Sequence, residues 1–198
     1  MLSMTPIVAT YLRARRLPQR LAALAVTGLL GAAIAQVPVP TVRVDLAATS
    51  YPAVLAGALV PVLIGVLAVT PAPVRLRWLT AVSTGRVRLL RAVELTVVTV
   101  AASLAAVLCG VTAGLGAAAV QNALVTLCGA LVFAVAIGAG AATAVTGAGA
   151  VVLLLASPRL ADTAWVVVDM QPDTADWLMI GVLAGIATAA RIRPGFRE

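Results

Sequence analysis

The chain has 198 residues, 62% hydrophobic and 11% charged, with a mean hydropathy of +1.10. So few charges cannot cover the surface of a water-soluble domain of this length, and lipid is the expected solvent for most of the chain. The net charge of +7 comes entirely from arginine, with no lysine and no histidine. These arginines lie at the ends of apolar runs, where orientation signals belong, and so argue against a nucleic-acid surface. Without histidine there is no Ser-His-Asp triad and no haem axial histidine, and a catalytic zinc site is also excluded.

A membrane-spanning helix needs about 20 apolar residues to cross a hydrocarbon core of about 30 Å. The first apolar run, 18–36, follows Arg13, Arg15, Arg16 and Arg20. No polar mature domain comes after it, so it reads as a retained helix and not as a cleaved signal. Pro38 and Pro40 end it, and a polar stretch with Arg43 and Asp45 follows. The second run, 52–70, holds Pro61, an expected kink, and exits at Pro71 and Pro73. The loop 74–91 comes next, with Arg75, Arg77, Arg86, Arg88 and Arg91, and Glu94 closes it. No charge then appears from 95 through 158. As one helix that stretch would run about 96 Å at 1.5 Å per residue, so it must fold back.

Three passes fit it best: 95–114, 121–139 and 143–157. Gly114, Gly116, Gln121 and Asn122 are read as one turn, and Gly138, Gly140, Gly147 and Gly149 surround the other. A last run, 177–190, precedes Arg191, Arg193 and Arg197. The expected fold is an all-α integral membrane protein of six transmembrane helices in a single domain, with cytoplasmic termini. It includes a short amphipathic N-terminal helix and an extracellular interfacial hairpin over 157–176. With that count every arginine except Arg43 and Arg159 falls on the cytoplasmic side, a strong positive-inside asymmetry.

Three groups of residues carry candidate roles. In the basic loop, Arg75, Arg77, Trp78, Thr80 and Arg86 mix basic and interfacial character, which suits either anionic lipid or a docked cytoplasmic partner. Arg91 and Glu94 read as a pair at a helix start, where capping accounts for both. Outside, Trp165, Asp169, Asp173 and Trp177 mark a segment at headgroup level. Gly110 with Gly114, and Gly181 with Gly185, form GxxxG spacings that permit close helix contact, although an Ala/Gly-rich chain produces such spacings readily. Cys109 and Cys128 fall inside apolar runs and read as small packing residues. With no charge expected mid-helix, an autonomous ion-coupled carrier is disfavoured. No P-loop motif is present, so any ATP-driven work needs another chain.

The segments YLRARRLPQR, TPAPVRLRWLTAVSTGRVRLLRAVE, SPRLADTAWVVVDMQPDTADW and ARIRPGFRE together resemble the layout of the membrane subunit of an ABC-2-type ABC transporter, of actinobacterial kind. The resemblance spans nearly the whole chain but rests on layout and not on a sharp motif. The chain departs from the family in being short, with a brief fifth helix. It also carries Arg75 where related coupling segments often hold an acid. The resemblance implies a permease in a bacterial cytoplasmic membrane, partnered by separate ABC ATPase subunits that hold ATP and Mg, with no cofactor in this chain. It implies a second permease completing a homo- or heterodimer, and export of an amphiphilic, peptide or lipid-like substrate. Two alternatives stay open: a non-transporting membrane anchor or assembly subunit, and an ATP-independent carrier or channel.

Overall fold

The computed structural model describes residues 16–39, 54–69, 85–160 and 174–192. They form six helices: α1 (Leu17–Ile34), α2 (Ala56–Ala68), α3 (Gly85–Ala113), α4 (Ala117–Ile137), α5 (Ala139–Leu160) and α6 (Thr174–Ile192). Two short strands, β1 (Pro38–Val39) and β2 (Val54–Leu55), pair antiparallel between α1 and α2. Three stretches are long and apolar enough to cross a membrane: Leu17–Ile34, Leu89–Ala113 and Ala117–Ala134. Shorter apolar helices run over Ala56–Ala68, Ala139–Val152 and Trp177–Ala189. This is the make-up of an all-α membrane protein.

Close glycine contacts define how the helices run. A Cβ on Gly28 of α1 would meet Ala105 Cβ of α3 at 2.9 Å, and Cys109 Sγ donates to Gly28 O at 3.4 Å. Further along, Gln36 Nε2 donates to Thr112 O at 2.6 Å. These contacts advance together along both chains, so α1 and α3 run parallel. Between them α2 runs the other way, with Gly31 against Val60, and Gly57 against both Ala35 and Ala113. Gly65 sits against Ala123 O, at 2.6 Å from a built Cβ, and beside Thr126. Gly110 of α3 lies against Ala119 of α4 across the reversal between them, so α4 runs opposite to α3 and parallel to α2. Gly129 faces Thr146 across the α4–α5 hairpin, and Gly147 faces Val66. Successive helices from α1 to α5 therefore alternate in direction, and α6 lies along α4 with a lighter contact to α3.

The core is built from small side chains. Ala102, Ala106, Cys109, Ala123 and Ala130 are buried together with Leu24, Ile64, Val98 and Leu127. Backbones separated only by alanine and glycine approach closely, so dispersion contacts replace the hydrophobic drive that lipid does not supply. Outward, Val26, Leu29, Leu30, Val93, Val97, Val100, Leu104, Leu178 and Val182 are exposed. Large apolar side chains outside and alanine within is the reverse of a water-soluble bundle.

Several boundaries differ from those read in the sequence. Residues 54–55 are extended and not helical, so α2 is shorter than the expected run over 52–70. Pro61 does lie inside α2, and it is buried. Gln121 and Asn122 are not a turn but fully buried helical residues of α4. The turn is made by Gly114 and Gly116, whose φ of 72° and 50° are left-handed values that glycine adopts without a Cβ clash. The α4–α5 link is the single residue Gly138, with φ 84° and ψ 155°. Gly140, Gly147 and Gly149 are inside α5, which has 22 residues and is not the brief helix expected over 143–157. One glycine able to reverse the chain removes the need for a longer loop. The expected N-terminal amphipathic helix and most of the interfacial hairpin lie outside the described residues.

Candidate functional site: buried charges at the basic end

Because α1 and α3 run parallel and α2 antiparallel, one end of the bundle gathers the start of α1, the exit of α2 and the start of α3. Arg20, in the first turn of α1, points into this junction. Its Nη1 donates to Glu94 Oε1 at 2.7 Å, and its Nη2 donates to the carbonyl of Ala68, the last residue of α2. The side chains of Arg20 and Glu94 are only 11% and 2% exposed. Charge-assisted bonds of this length are the stronger kind of hydrogen bond. The Ala68 carbonyl belongs to the last turn of α2, where acceptors lack an intrahelical donor and the helix dipole favours a cation.

The sequence placed Glu94 at a helix start beside Arg91. In the structure α3 begins ten residues earlier, at Gly85, and the ion pair of Glu94 reaches across to Arg20. No acid lies in the first turn of α3. A helix of 29 residues is about 44 Å long, more than a hydrocarbon core of about 30 Å. Counting back from Ala113, about 20 residues reach Glu94. The preceding turns, with Arg86, Arg88 and Arg91, extend past that depth. The stretch 85–91 of the expected loop is thus helical.

Arg91 is itself buried, at 4% exposure, and its Nε has no hydrogen-bond partner. It stands three residues before Glu94 and so lies on the same face of α3. Two charges are therefore buried in α3, Arg91 and Glu94, and Arg20 is partly buried against them; all three lie at the basic end and not mid-span. The sequence carried a signal for this, two basic residues and one acid at the starts of two parallel apolar helices. In the sequence Arg20 is one more arginine flanking an apolar run, and only the parallel course of α1 and α3 brings it to Glu94.

A second polar group sits deeper. Gln121, Asn122 and Thr126 of α4 are at most 1% exposed, and Thr126 Oγ1 donates to Asn122 O at 2.7 Å. They occupy the part of α4 that faces Gly65 of α2.

The remaining expected site residues are dispersed. Arg75, Arg77, Trp78, Thr80, Trp165, Asp169 and Asp173 lie outside the described residues. Arg86 is in the first turn of α3, and Trp177 near the start of α6 is 38% exposed. Of the glycine pairs, Gly110 makes a close approach, with Ala119 Cβ 2.7 Å from a built Cβ, but Gly114 is a turn residue with open space around it. Among the described residues nothing lies against Gly181 or Gly185. Other close helix contacts are made by Gly28, Gly31, Gly57 and Gly65, which do not form GxxxG pairs and whose roles needed the fold to be seen. Both cysteines are free and buried. Among the described residues no group of three His, Cys, Asp or Glu comes together as a metal site.

No protein-family model matches the chain, and neither a curated protein nor a solved structure matches it.

Proposed function

We propose that the chain is the permease subunit of an ATP-driven ABC transporter of the ABC-2 type. In this reading it crosses a bacterial cytoplasmic membrane six times, with both termini cytoplasmic. It pairs with a second permease and with separate ATPase subunits that bind ATP and Mg. It exports an amphiphilic, peptide or lipid-like substrate and is not itself an enzyme.

One observation carries the reading. Arg20 joins the end of α2 through Ala68 to α3 through Glu94, nine residues into that helix, and the chain between these two helices carries Arg75 and Arg77. A push on that segment from a docked ATPase would thereby reach three helices at once, which is what a coupling element requires. The alternation of α1 to α5 also suits a chain that recrosses the membrane with its basic residues at one end. Arg75, Arg77, Trp78, Thr80 and Arg86 are the proposed docking residues. Replacing Arg75, Arg77 and Trp78 together by alanine is expected to uncouple ATP hydrolysis from transport while leaving membrane insertion intact. Unchanged coupled transport would contradict the proposal.

A second reading gains weight from the same cluster. Buried ionisable residues mark ion pathways in carriers that work without ATP, and Arg20, Arg91 and Glu94 supply the charge such a carrier needs. Substrate movement driven by an ion gradient alone, in vesicles without ATPase subunits, would favour it.

A further inference from the structure

We draw no further inference here: the strongest candidate, the outward face of α6 formed by Leu178, Gly181, Val182, Gly185 and Ile186, is an apolar surface patch, and nothing in the structure shows what covers it.

Discussion

Arg20 Nη1 and Glu94 Oε1 lie 2.7 Å apart although 74 residues separate them in the chain. The bond closes the basic end of the bundle, because the same guanidinium also holds the carbonyl that ends α2. Glu94→Gln leaves Arg20 buried without its counter-charge, and such breaks cost about 3–5 kcal/mol. Arg20→Gln together with Glu94→Gln should cost clearly less than the sum of the two single changes, since neither charge is then stranded. Denaturation of the purified chain in SDS, for the wild type and the three variants, measures both. Additive losses would mean the two side chains do not act as a pair.

Glycines with neighbours and glycines without them should respond in opposite ways. A Cβ on Gly65 would meet the Ala123 carbonyl at 2.6 Å, and backbone cannot move aside as a side chain can. Gly65→Ala is expected to destabilise by about 1–3 kcal/mol. Gly181→Ala and Gly185→Ala enter open space in a helix and should be neutral, or stabilising by up to about 1 kcal/mol. Thermal unfolding of the detergent-solubilised variants separates the two classes.

Gly138 carries the whole reversal between α4 and α5, at a φ and ψ essentially reserved for glycine. Gly138→Ala should cost about 1–3 kcal/mol and lower the yield of folded protein. Gly140→Ala, two residues on and within α5, should cost nothing measurable. Equal effects would place the turn elsewhere.

Cys109 and Cys128 are buried and free, and Cys109 is tied to the Gly28 carbonyl. A maleimide added to intact membranes should label neither over minutes, and both should label once SDS unfolds the chain. Rapid labelling of the native protein would show that α1 does not cover Cys109.

How far the sequence was legible follows from what each signal measures. Apolar length and arginine position are properties of a segment, so the six helical runs and the basic end could be read directly. Turn placement was harder. Gln121 and Asn122 look like loop residues by polarity, yet burial in α4 overrides that preference, and the chain turns before them, at Gly114 and Gly116, which permit positive φ. Helix packing was harder still. The GxxxG spacing picked out Gly181 and Gly185, which meet none of the described residues, and passed over Gly31 and Gly65, whose neighbours come from distant segments. The site was half legible. Arg91 and Glu94 stood out as charges beside an apolar run, but the Arg20 partner depends on α1 lying parallel to α3, which no local pattern encodes.

The central claim is that this chain works as the membrane half of an ATP-driven transporter. Its most direct test is affinity purification of the solubilised protein from its native host, with ATPase activity assayed on the eluate. The account predicts a co-purifying P-loop ATPase that is lost when Arg75, Arg77 and Trp78 are replaced by alanine. A chain that purifies alone, or with partners that hydrolyse no ATP, would contradict it.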